Sequence, residues 1–139
     1  MRYHVIVSHG GFASGLAEAL GMLMGQREDV LQVSFRDGMA LPAFQEQVRQ
    51  AAAPITAEDE VLVLADLVNG SPLTTTMAVL AEGPGLANVR AVGGMNLPMA
   101  VAAIEGEDDP LDEVVEAMRT CAVEEVKQFQ TETGGDDDI

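Results

Sequence analysis

One histidine, one aspartate and one serine fall where this chain changes from apolar runs to turn chemistry. They lie in "SHGG" (8–11) and "ADLVNGSP" (65–72), and a third segment, "GGMNLP" (93–98), has the same character. His9 is the candidate nucleophile. Asp66 follows a run of five apolar residues, where an unpaired carboxylate would be costly. If their strands are neighbours, Asp66 accepts one imidazole N–H, fixes the tautomer and leaves the other nitrogen's lone pair pointing outward. The competing reading is that Asp66 caps a loop amide. Gly10 and Gly11 allow close backbone approach to a ligand. Gly70 precedes Ser71–Pro72, a helix start with serine at the cap and proline in the first turn. Helix N-termini carry bare N–H groups and bind anions. A nucleophilic imidazole between neutral donors suits a tetrahedral anion, and phosphate is the natural candidate.

No Lys or Arg occurs in the three segments. A site that captures a free phosphate ester uses arginines on the dianion. A site that receives and passes on a phosphoryl group needs it held less tightly, so the composition favours a relay over a hydrolase. His4 lies five residues before His9 on the same apolar run, roughly 17 Å away at 3.3 Å per residue, and reads as a structural strand residue. A receiver-type aspartyl phosphate site needs an acidic pair for Mg²⁺ where Ser8 and His9 stand. A histidine phosphatase needs Arg-His-Gly in place of Ser-His-Gly. "HGGFASG" lacks the G-x-G-x-x-G spacing, and neither Ser14 nor Ser71 sits in G-x-S-x-G. Two histidines and one cysteine, widely spaced, argue against zinc. No metal and no cofactor beyond a transient phosphohistidine is expected.

Four β-rich runs must position these residues: Tyr3–Val7, Val30–Phe35, Val61–Ala65 and Val89–Val92. Each precedes a helical pattern, the first carrying Phe12, Leu16, Leu20 and Leu23 as its stripe. Such alternation predicts an α/β fold, an open three-layer α/β/α sandwich on a mostly parallel four-stranded sheet. In that architecture ligands collect at the carboxyl ends of the strands, where the three segments lie. A last helix is predicted over Pro110–Gln130, capped by Asp109, with Val114, Val115, Met118, Ala122, Val126 and Phe129 buried.

The chain has 139 residues, 47% of them hydrophobic, enough for one domain over 1–130; residues 131–139 read as a disordered acidic tail. Seven basic against 23 acidic residues give a net charge of −16. That argues against nucleic acid and anionic membrane surfaces as partners and suits basic ones. Cys121 stands alone, so no internal disulfide forms, and it reads as a buried small hydrophobe. No signal peptide and no run near the roughly 20 residues of a membrane span is present, which makes the cytoplasm the expected location.

"HVIVSHGGFASGL", "VLVLADLVNGSPLTTTMAVL" and "AVGGMNLPMAVAAI" together resemble the IIA domains of the mannose-type (mannose–fructose–sorbose) sugar phosphotransferase system. The resemblance implies a cytoplasmic phosphocarrier in which the histidine-containing phosphocarrier protein phosphorylates His9. His9 then passes the group to a IIB component, expected here on a separate polypeptide, which feeds a membrane IIC/IID permease. It further implies modification of His9 on Nε2, with Asp66 on Nδ1 and with Ser71, Gly70, Gly10 and Gly11 around the phosphate. It also implies a homodimer that exchanges an edge strand, hence an antiparallel strand added to the sheet. Two positions depart from the family pattern: Asn69 replaces a glycine of "GGSP", and Leu67 stands where some members have threonine. Two other readings remain: the phosphotransferase subunit of a dihydroxyacetone kinase, and a regulatory binding module switched by His9 phosphorylation.

Overall fold

The computed structural model describes residues 1–131; the predicted acidic tail, apart from Thr131, lies outside the described residues. The elements alternate: β1 (Arg2–His9), α1 (Phe12–Met24), β2 (Val30–Phe35), α2 (Leu41–Ala52), β3 (Glu60–Ala65), α3 (Ser71–Glu82), β4 (Val89–Val92), α4 (Leu97–Glu105) and α5 (Leu111–Glu124). The strands form one parallel sheet in the order β2-β1-β3-β4. Side chains alternate across it as the two-residue period requires. Ile6, Leu62 and Leu64 share a core with α1, α4 and α5. Val5, Val7, Val61 and Val63 share the opposite core with α2 and α3. Helices on both faces make the three layers and explain why β1 and β3 are nearly continuous apolar runs.

The sheet carries no antiparallel edge strand among the described residues, contrary to expectation. The β4 edge is four residues long, and Arg90 within it pairs with Asp112 of α5 at 2.8 Å. A short, charged edge discourages further pairing. The last helix also stops short of Gln130. Asn96 Nδ2 donates to the carbonyl of Ala122 at 3.1 Å, taking the acceptor that a continuing helix would offer Val126, whose amide turns back to Val123. Val126 and Phe129 are therefore exposed, not buried. Pro110, not Asp109, occupies the cap, because the first helical amides, those of Glu113 and Val114, bond to the Pro110 carbonyl. On α1 the buried row is Ala13, Leu16 and Leu20, which leaves Phe12 and Leu23 outside. Cys121 is half-buried against the α4–α5 core.

His4 is buried at the amino end of β1, its Nδ1 3.9 Å from Asp29 Oδ2, and neither ring nitrogen has a hydrogen-bond partner among the described residues. Burial pushes its pKa below the ordinary 6.5; Asp29 pulls upward, while Arg27 and Arg2 push down with burial. The unfolded chain thus takes up this proton at higher pH than the folded one. Stability should be complete above about pH 6.5 and decline as pH falls below it. Urea midpoints measured at about pH 7.5 and 5.5 should drop more for the wild type than for His4→Leu; equal drops would show that His4 does not contribute.

Candidate functional site

The connection from β1 runs to β2 on one side, whereas that from β3 runs to β4 on the other. The crevice of an open α/β sheet lies at such a reversal, outside the carboxyl ends of the strands. Val7 pairs with Ala65, so His9 and Asp66 emerge from adjacent strands at the same rim. Helix α1 leaves on one face and α3 on the other, and their N-termini flank the gap.

His9 Nδ1 lies 2.9 Å from Asp66 Oδ2, and the same oxygen accepts the His9 backbone amide at 2.9 Å. Asp66 Oδ1 accepts the Leu67 amide, also at 2.9 Å. The two readings of Asp66 therefore both hold: it meets the ring and caps loop amides. The carboxylate side chain is 13% exposed and the imidazole 46%. Partial burial pushes the Asp66 carboxyl up, but the hydrogen bonds from the His9 amide, the His9 ring and the Leu67 amide outweigh it, and its pKa falls below the ordinary value. Asp66 is ionised at neutral pH. When Asp66 accepts a hydrogen bond from Nδ1–H, Nε2 is the nitrogen with a lone pair.

Gly70 borders the ring closely. A Cβ there would lie 2.7 Å from His9 Cε1 and 3.4 Å from Nε2. Gly70 is the cap of α3 and Ser71 its first residue, so the helix starts one position earlier than the sequence suggested. The Ser71 hydroxyl and the Ser71 and Leu73 amides have no partner among the described residues, so the α3 N-terminus keeps free donors. At α1 fewer remain. Ser8 Oγ accepts the Ala13 amide at 2.6 Å, and Ser34 Oγ accepts the Ser14 amide at 3.3 Å. Gly11 and Phe12 keep their amides, and Gly10 is held at φ +57° with its amide on the Phe35 carbonyl.

The third segment supports the loop from behind. Gly94 and Met95 amides bond to the carbonyls of Asp66 and Ala65, at 3.1 and 3.0 Å. A Cβ on Gly93 would strike the Val68 backbone and Cβ at 2.8 to 2.9 Å. Asn96 caps α4 by accepting the Met99 amide. Three contributors were not read from the sequence. Ser8 and Ser34 are strand hydroxyls whose only signal was polarity within an apolar run. Arg36, at the end of β2, shares the cleft of His9 and Gly10. Among the described residues no cluster of His, Cys, Asp or Glu could hold a metal ion, and no helix is long and apolar enough to cross a membrane.

The family model described as PTS system fructose IIA component matches residues 3–130. The fructose-specific EIIA component of the Bacillus subtilis (strain 168) phosphotransferase system is 31% identical over 100 residues, covering 72% of this chain and 66% of that protein. The mannose-specific EIIAB component of Escherichia coli (strain K12) is 28% identical over 113 residues, covering 80% of this chain and 34% of that protein. The chain thus spans less than two thirds of either relative. The crystal structure of phosphotransferase system component EIIA from Streptococcus agalactiae superposes with a TM-score of 0.78 at 25% identity, over 92% of this chain and 97% of that one. With the motifs, the parallel sheet and a match over nearly its whole length, the chain belongs to the mannose/fructose-type IIA components of the sugar phosphotransferase system.

Proposed function

We propose that this protein is a cytoplasmic phosphocarrier that accepts a phosphoryl group from the histidine-containing phosphocarrier protein on Nε2 of His9 and hands it to a IIB component for sugar uptake through a IIC/IID permease. Residues 1–130 are the working unit. The observation that carries the reading is the 2.9 Å contact of His9 Nδ1 with Asp66, beside a half-exposed ring at the reversal point of the sheet. The Nε2 lone pair attacks the phosphorus of the donor's phosphohistidine. The new N–P bond forms as the old one breaks, and the donor imidazole leaves with the bonding electrons. The His9 ring becomes a cation, and Asp66 stabilises it without taking its proton. The transfer to IIB reverses these roles. Gly10 and Gly11 at one helix start, and Gly70 and Ser71 at the other, place neutral donors around the group.

A homodimer belongs to the same reading. Val123, Val126 and Phe129 are each at least two-thirds exposed, apolar surface that a second copy would cover.

Incubation of the chain with enzyme I, the phosphocarrier protein and phosphoenolpyruvate tests the relay, with alkali-stable, acid-labile label expected on His9. Label that is base-labile, or absent, contradicts it. The Gly70→Ala change should slow labelling about tenfold, comparable to one ring hydrogen bond, about 1–1.5 kcal/mol. The added Cβ pushes the outer edge of the His9 ring, not the backbone. Folding is therefore retained, and an unchanged rate would show that the ring tolerates displacement from Asp66.

A further inference from the structure

We propose that Arg36 is a cationic phosphoryl-binding residue of this site, holding the anion on His9 from the β2 side; the inference rests on His9 being the phosphoacceptor. The chain has seven basic side chains and 23 acidic ones. Among the described residues, Arg2, Arg27, Arg49, Arg90, Arg119 and Lys127 each have a carboxylate within 2.8 to 3.7 Å. The Arg36 guanidinium has no ion pair and no hydrogen bond among the described residues, although Asp37 is its neighbour. In so acidic a protein, a guanidinium left without a carboxylate is available to a different anion.

Its position says which one. Phe35, the residue before it, is the register partner of His9, and the Phe35 carbonyl holds the Gly10 amide at 2.7 Å. The end of β2 is thereby fastened to the histidine loop. Arg36 lines the same cleft as His9 and Gly10. A Cβ on Gly11 would lie 2.7 Å from Arg36 Nη1, so the absence of a side chain at Gly11 is what lets the guanidinium rest against the start of α1. The remaining donors, the amides of Gly11, Phe12, Ser71 and Leu73, are neutral. A phosphoryl dianion next to the Asp66 carboxylate gains from one opposing cation, and arginine offers a fork of N–H groups matched to phosphate oxygens. The three segments picked out from the sequence contain no cation; this one comes from the end of a fourth strand.

The test phosphorylates the full chain through phosphoenolpyruvate, enzyme I and the phosphocarrier protein. It compares the equilibrium ratio of phospho-His9 to phosphocarrier for wild type, Arg36→Gln and Arg36→Lys, with urea midpoints as a check on folding. Arg36→Gln should lower the ratio about fivefold at low salt, in keeping with an exposed charge pair, and the difference should shrink toward about 1 M salt. Arg36→Lys should retain part of the effect. In ³¹P titrations the phosphoryl group of the Gln variant should take up its proton at higher pH than in wild type, a shift that a merely structural arginine would not cause. An unchanged ratio and titration in a variant that is labelled overturns the role of Arg36 alone. A slower rate with an unchanged ratio also overturns it, placing Arg36 in docking of the donor. Wild-type protein that takes no label on His9 removes both the relay and this inference.

Discussion

His9→Ala should take up no phosphoryl group from the phosphocarrier protein, while His4→Leu should be labelled like the wild type. The two histidines lie toward opposite ends of one strand. His4 is 1% exposed beneath the helices, and an incoming donor cannot reach it. His9 presents nearly half of its side-chain surface at the rim. Replacing it deletes the ring hydrogen bond to Asp66 but leaves the backbone amide on the same carboxylate, so the loop keeps its anchor. The loss is therefore chemical, and the urea midpoint should stay near that of the wild type. Label on the His9→Ala protein would transfer the phosphoacceptor role to another residue.

Asp66→Asn should slow phosphoryl acceptance about 10- to 100-fold. The side chain keeps its shape, and one amide oxygen can still accept the His9 or Leu67 amide. What is lost is the negative charge facing a ring that becomes cationic as the N–P bond forms. A charge-assisted hydrogen bond is worth about 1.5–3 kcal/mol, and each 1.4 kcal/mol is a factor of ten. The sign with pH follows from the same contacts. Burial raises the Asp66 pKa, three hydrogen bonds lower it by more, and the net value is below the ordinary 3.8. Its stabilising contribution is present above that value and is lost as pH falls through the lower, folded-state pKa. The Asn variant should thus be defective across the neutral range. Stopped-flow rates at neutral pH check this, and a rate equal to wild type would show that the carboxylate does not orient or stabilise the ring.

The rim residues were legible because parallel α/β order is local information. Apolar runs at Val30–Phe35 and Val89–Val92 match strands residue for residue, and helices between them force His9 and Asp66 to one edge. What escaped was set by contacts distant in sequence. The end of α5 depends on Asn96, 26 residues away, reaching the Ala122 carbonyl; periodicity alone carried the helix on to Gln130. The donors left at α1 depend on Ser8 and Ser34, which sit inside strands and look like ordinary polar interruptions. Phe12 satisfied the helical spacing yet lies beside the buried row, because a stripe of Ala13, Leu16 and Leu20 leaves it on the outer edge. Arg36 was invisible as a site residue for the same reason. Its nearness to Gly11 comes from the pairing of β2 with β1, which no local motif announces.

The most direct measurement is ³¹P–¹⁵N correlation on the phosphorylated chain with labelled histidine. Nδ1 lies 2.9 Å from Asp66, so under the proposed relay Nε2 is the nitrogen that receives phosphorus. Phosphorus coupled to His9 Nε2, with the Nδ1 proton retained, is the expected result. Phosphorus on His9 Nδ1, on His4, or on an oxygen of Asp66 or Ser71 would contradict the account.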